Sequence, residues 1–452
     1  MLTLLIFLLL IGVLVFVHEL GHFLTARLTG MRADVFAIGM GPRIVGWNPI
    51  TGLTFGKLPD TVELGDKTDY RLCAFPIGGY VKILGMVDES MDTEGLASEP
   101  KPWEFRSKNA AQKALVLVAG VAMNLLLAIV VFAGLEMVVG SEEHVVTSIA
   151  DVEAGSVAYD AGLRAGDNIL AVNDKPMQVW EDLTRSISQG NLSDIVLTVR
   201  RPSGGTFTAV IQSADVVSAV AEGKGLGVSP SGVAVELGNV LTLKPAGRAG
   251  LAKGDVILAV DSMPVRTVLQ FQRYVRNHAG QSIVVHIDRN GTTKPVPVTV
   301  GTDSIIGVEM SQRWTVPVRT QQAGVFEALA SGVTGVGNTV AMISSSLWHM
   351  VSGTVSVKQS VGGPIRIAEM AAASSERGLE PFLRFMALIS VSLAVMNLLP
   401  LPGLDGGHLV FVAIEAVIRR EIPTNVKIRI QQVGMMLLLA LMAFVLYLDL
   451  TR

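Results

Sequence analysis

The sequence predicts an α-helical polytopic membrane protein: four transmembrane helices, a membrane-associated β-hairpin, and two small α+β domains inserted between spans. Three observations predict it. Half of the 452 residues are apolar and only 17% are charged, whereas a soluble domain carries about a quarter. Four apolar stretches, at 2–27, 114–139, 382–400 and 430–448, each approach or exceed the roughly 20 helical residues that cross a hydrocarbon core. The polar segment between the second and third stretches, 140–380, contains a duplication. A net charge of −3 gives no reason to expect a nucleic-acid partner, and the single cysteine, Cys73, excludes an intrachain disulfide framework.

The first element, 1–28, stays as a span. No Lys or Arg precedes its apolar run and no small-residue cleavage site follows it, so it does not read as a signal peptide. Segment 29–113 follows, with two stretches rich in β-formers, VFAIGMGPRIVGW (35–47) and YRLCAFPIGGYVKI (70–83). Gly78 and Gly79 interrupt the second, where a strand glycine marks close backbone approach. The second span is 114–139. Lys and Arg cluster after the first span (Arg27, Arg32, Arg43), before the second (Lys108, Lys113) and between the third and fourth (Arg419, Arg420, Lys427, Arg429). By the positive-inside rule these loops are cytoplasmic, and both termini and the 140–380 segment lie on the other side.

Within that segment, AGLRAGDNILAVNDKPM (161–177) aligns without gaps to AGLAKGDVILAVDSMPV (249–265), ten of seventeen positions being identical. Each copy predicts a strand (169–172, 257–260), a helix (179–188, 268–277) and a second strand (195–200, 283–288). The motif A-G-L-x-x-G-D-x-I-L-x-V-N/D resembles the PDZ domain, giving one domain over 140–225 and another over 226–310. The resemblance implies binding of peptide C-termini by strand addition at a sheet edge. In the linker 311–381, apolar residues from Phe326 to Met350 recur at alternating spacings of three and four. They predict an amphipathic helix, lying on the outer membrane surface or packed on a PDZ domain. The third span with its terminal motif covers 382–409. A loop and the fourth span complete the chain over 410–452.

The first span carries FVHELGHFLTAR. His18 and His22 lie one turn apart on one helix face and can reach one ion, while Glu19, roughly 100° around the helix, suits a water. Ionisable residues inside a span are expensive and mark function. A catalytic zinc takes three protein ligands and keeps an open position, so a third polar ligand is expected at membrane depth. NLLPLPGLDGGH (397–408) offers it: its prolines and glycines break the helix, and broken backbone survives there only beside protein or a water-filled cavity. Asp405 is the first choice as ligand and His408 the alternative.

These motifs together resemble the site-2 protease family of intramembrane zinc metalloproteases. The resemblance rests on HELGH in the first span, N-x-x-P-x-P-x-L-D-G-G-H in the third, and the PDZ pair between spans. It implies a protease of the bacterial inner membrane with one Zn2+ per chain, cutting single-span proteins within or near their transmembrane segment. The implied substrates are pre-trimmed anti-sigma factors in envelope stress and remnant signal peptides. His18, His22 and Asp405 would be the zinc ligands, Glu19 the catalytic base and Asn397 a substrate contact. A β-hairpin beside the zinc would present the substrate near Gly78 and Gly79. The family often has G-P-x-x-N in the second span; here Val121 follows Gly120, and Asn124 is kept as a further polar contact. Two other functions compete: a membrane zinc protease that cuts exposed loops from a cytosol-facing site, and a non-enzymatic PDZ adaptor. The first takes its third ligand from a later soluble helix, and the second would have lost Glu19 or Asp405.

Overall fold

The structure is a computed structural model describing residues 2–59, 62, 64–86, 99–189, 194–216, 225–352 and 363–450. Parts of three expected segments (87–98, 217–224 and 353–362) lie outside the described residues. The chain divides into two compact units, residues 1–140 with 322–452, and residues 141–321.

In the first unit, four helices are long and apolar enough to cross a membrane: Leu2–Leu28, Ala110–Val138, Leu379–Asn397 and Thr424–Leu450. The second begins four residues earlier than hydropathy predicts. Asn109 accepts a hydrogen bond from the Gln112 backbone N–H, and Gln112 Oε1 accepts from the Asn109 N–H. That reciprocal cap starts a helix whose first turn is polar. The third helix stops at Asn397, where Pro400 and Pro402 follow. Where a loop was expected after residue 409, a separate helix runs Asp405–Ile418, and the connection to the fourth span shrinks to 419–423. Arg419, at φ 54° in the left-handed region, ends that helix.

The amphipathic helix is Val325–Val351. The outer surface was one expected location, but it lies against the second and third spans: Val336 packs with Ala128, Ala387 and Val391. A Cβ at Gly332 would come within 2.7 Å of Ile129 O, so this close crossing needs glycine. The next helix, Pro364–Glu376, packs Ala371 against Leu10 and Leu14 of the first.

Segment 29–113 forms an antiparallel sheet of β1 (Ala33–Asn48), β2 (Gly52–Phe55) and β3 (Asp69–Ile83), in the order β2-β1-β3. Both long strands bend at positive-φ glycines, β1 at Gly39 and Gly41 and β3 at Gly78. The bends let each half pair separately. Residues 70–72 lie between the two halves of β1, with Tyr70 opposite Phe36 on one side and Trp47 on the other. Among the described strands, residues 79–83 pair with the first half of β1, Gly79 opposite Ile38 and Val81 opposite Phe36. They form one edge of the curled sheet. Inside the curl, the Arg43 guanidinium donates to both Asp69 carboxylate oxygens at 3.1 Å. Toward its far end the sheet exposes Ile44, Trp47, Leu53, Phe55 and Phe75.

The second unit holds two α+β lobes with one repeating plan. Strands Asn168–Val172 and Ile195–Arg200 with helix Trp180–Gln189 build the first; strands Val256–Val260 and Ser282–Arg289 with helix Val268–Asn277 build the second. Each has its own apolar core, around Ile169, Leu183 and Leu197 and around Ile257, Phe271 and Val285. The aspartate of each A-G-L-x-x-G-D motif is buried. Asp167 accepts from Arg201 and from the Arg164 N–H, and Asp255 from Arg289 and the Ala252 N–H. Strands Ser141–His144 and Val318–Gln321 pair antiparallel where the unit begins and ends, Ser141 opposite Gln321.

Candidate metal centre

His18 and His22 occupy successive turns of the first span, their Nε2 atoms 3.1 Å apart. Asp405 Oδ2 lies 3.1 Å from His18 Nε2 and 3.3 Å from His22 Nε2. Tetrahedral zinc with bonds of about 2.0–2.1 Å spaces its donors roughly 3.3–3.4 Å apart, so this triangle fits one face of that ion. Two further observations support the fit. Asp405 Oδ2 is buried and has no hydrogen-bond donor among the described residues. His22 Nδ1 lies 2.8 Å from Val116 O and donates to it, leaving the Nε2 lone pair turned to Asp405. Among the described residues this is the one His/Cys/Asp/Glu group spaced to hold an ion.

The backbone makes room for the cluster. A Cβ at Gly120 of the second span would run into His22 Nε2 and approach His18 Cε1 to 2.7 Å. Gly21 allows the same close passage on the other helix, where a Cβ would strike the Ala119 backbone. Asp405 opens its helix, where the dipole favours a carboxylate. The two glycines after it let the helix start pack back on the preceding turn: a Cβ would strike Leu399 O at Gly406 and Leu401 O at Gly407.

A cavity surrounds the cluster and brings Glu19, Gly79, Asn397 and His408 to its wall, with His18, His22 and Asp405. Asn397 Nδ2 lies 3.3 Å from His18 Nε2. Gly79 abuts Glu19, whose Cγ would sit 3.2 Å from a Cβ there. Gly78 is at the adjoining bend, φ 76°, and is not among the lining residues. Asn124 does not line the cavity either; it is fully buried behind His18, its Nδ2 3.3 Å from His18 Nδ1. The alternative ligand, His408, lies outside the ligand triangle, and its Nε2 is 2.9 Å from Gln431 Nε2 of the fourth span. Sequence reasoning did not single out Gly21, the Val116 carbonyl or Gln431. Only Gly21, inside HELGH, carried a signal, as a small residue in a span.

Two histidines, a glutamate and an aspartate gathered around one cavity among apolar helices define a metallohydrolase of the multi-pass membrane type. The chain matches peptidase family M50 over residues 6–441 and belongs to that family, the site-2 proteases; it is a zinc metalloprotease. It is 31% identical to a protein of Ralstonia nicotianae named as a zinc metalloprotease, over 100% of this chain and 99% of the relative. It is also 31% identical to the regulator of sigma-E protease RseP of Escherichia coli and to that of Salmonella typhimurium. Each of these matches covers 99% of this chain and 98% of the relative.

Proposed function

We propose that this protein cuts single-span membrane proteins within or near their transmembrane segment, using His18, His22 and Asp405 as zinc ligands and Glu19 as general base. The observation that carries this reading is the sheet edge Gly79–Ile83 on the wall of the same cavity. A helical peptide bond is shielded by its own hydrogen bonds, so a span must become extended before hydrolysis. A strand at a sheet edge captures an extended segment through main-chain bonds, and this one passes Glu19 at Gly79. Bound zinc would supply a Lewis acid for the scissile carbonyl and a lowered pKa for water. Glu19 takes a proton from water in the cavity and returns it to the leaving amine. Asn397, its amide 3.3 Å from His18 Nε2, would donate to a substrate carbonyl in this reading. Gly78 acts as the bend that aims the edge strand.

Water enters from the cytoplasmic side in this reading. A second cavity, lined by Lys113, Glu415, Lys427 and Gln431, shares Met86 and His408 with the first. The basic residues near these span ends support a cytoplasmic location for it, with both termini and the second unit periplasmic in a bacterial inner membrane. The exposed apolar end of the sheet, including Trp47, Phe55 and Phe75, suits insertion into lipid. The two lobes are read as PDZ domains. In the second, a groove between helix Val268–Asn277 and strand Val308–Trp314, lined by Phe271, Val275, Ile306 and Met310, has the form of a site for a peptide C-terminus. As the family resemblance implies, the substrates are an anti-sigma factor already trimmed outside, in an envelope stress response, and remnant signal peptides.

The test is co-expression with tagged single-span proteins. Intact substrate is expected to accumulate with Glu19→Gln and to disappear with the wild type. Equal cleavage by both would reject the assignment.

A further inference from the structure

The two histidines of the cluster are held differently. His22 gives its Nδ1 proton to a main-chain carbonyl, which fixes its ring. Among the described residues, no carbonyl or carboxylate bonds to His18 Nδ1. The one polar group there among the described residues is the side-chain amide of Asn124, 3.3 Å away and fully buried. The amide turns Nδ2 toward the ring, and its Oδ1 is buried with no hydrogen-bond partner among the described residues.

That arrangement conflicts with His18 as a metal ligand. When Nε2 points its lone pair at an ion, the neutral ring carries its proton on Nδ1 and needs an acceptor. An amide N–H cannot accept. A half-turn of the Asn124 amide places Oδ1 where Nδ2 now stands, and Oδ1 abandons nothing, because it bonds to nothing in its present position. We infer that Asn124 is the positioning residue for His18: in the zinc-loaded protein its Oδ1 accepts the Nδ1–H and fixes the tautomer and the ring plane. Ser390 of the third span donates to the Asn124 main-chain oxygen at 2.8 Å and not to its side chain. That bond holds the helix while leaving the side chain to the ring. This role replaces the expected substrate contact, since the side chain is sealed from the cavity. It rests on the proposed ligand set.

The experiment measures zinc transfer from the purified full-length protein, in detergent, to a chromophoric chelator. Asn124→Asp keeps an acceptor and loses the donor, so it is expected to hold zinc at least as tightly as the wild type. Asn124→Leu keeps the bulk and loses the acceptor, and is expected to weaken zinc about 10–100-fold, as loss of an outer-shell partner does. Ser390→Ala, which leaves the amide in place, is expected to hold zinc normally. Weakening by Asp equal to that by Leu would overturn the inference, because it would make the amide a donor or a packing group. So would normal retention by Leu, or a loss in Ser390→Ala matching that in Leu. If the Leu variant does not fold, the Asp variant alone decides between acceptor and donor. His18→Ala separates the two levels of the argument. It should lose zinc, and retention there would reject the ligand set itself, whereas retention by Leu alone rejects only the role of Asn124.

Discussion

Gly120→Ala tests whether the metal cluster depends on a missing side chain. The added Cβ would stand 2.7 Å from His18 Cε1 and 2.8 Å from His22 Cε1, and closer still to His22 Nε2. Carbon atoms rest comfortably at about 3.5–4.0 Å, so the rings or the helix must move by roughly 0.7 Å or more. Metal–donor distances tolerate only about ±0.2 Å, and the donors stand at 3.1–3.3 Å from one another. Movement of that size should cost zinc affinity more than the about 10–100-fold of an outer-shell change. Overpacking adds about 1–3 kcal/mol of destabilisation. Gly134→Ala is the control: it lies in the same helix, with nothing within 4 Å of its Cβ position, and should leave zinc unchanged. Bound zinc is measured on both purified variants, with cleavage of a co-expressed single-span substrate as second readout. Wild-type zinc retention and turnover by Gly120→Ala would refute the packing argument.

Glu19→Gln should lower cleavage by about 10²–10⁴ while bound zinc stays at the wild-type level, since the three donor atoms are untouched; metal analysis beside a cleavage assay checks both halves. Asp405→Asn should lose most bound zinc and all measurable activity, whereas His408→Ala, whose partner is Gln431, should keep most of its metal; the reverse pattern would make His408 the ligand. Replacing residues 142–320 with a short Gly-Ser tether should leave trimmed substrates cleavable and make substrates with bulky outer domains cleavable too, if the second unit screens them. The pairing of Ser141 with Gln321 puts the cut ends side by side, so insertion and zinc content should survive; refusal of the bulky substrate by such a protein would count against screening.

Much of this architecture was legible because it is written in periodicity and residue type. The four spans show as apolar length, and the repeat shows as alternation and identical turns. The helix of residues 325–351 shows as spacing, but its location does not. Hydropathy gives an amphipathic face without naming its neighbour, and only the small residues Gly332 and Ala128 hint at a helix rather than a lipid surface. The helix Asp405–Ile418 escaped for a related reason. At 14 residues it is too short to cross a membrane, so the stretch after residue 409 reads as loop, and the turn before it is set by Pro400, Pro402 and the close packing of Gly406 and Gly407.

At the metal centre the split is sharper. The proposed ligands announce themselves: His18, His22 and Asp405 are expensive residues in or beside apolar spans, so their presence demands an explanation. What holds them does not announce itself, because it is main chain or empty space. Val116 contributes a carbonyl that any residue would carry. Gly21 and Gly120 contribute the absence of a Cβ where two helices pass, and Gly79 the same where the sheet edge passes Glu19. A glycine in an isolated helix only costs stability, about 1 kcal/mol against alanine; its return appears when a second helix brings two imidazoles into the gap. Asn124 lies between these cases. Its type marks it as polar and buried, which suggests a site contact, but type alone does not say which face of His18 it meets. Only the pairing of the first two spans puts it at Nδ1, away from the cavity, where its service is to the ring and not to the substrate.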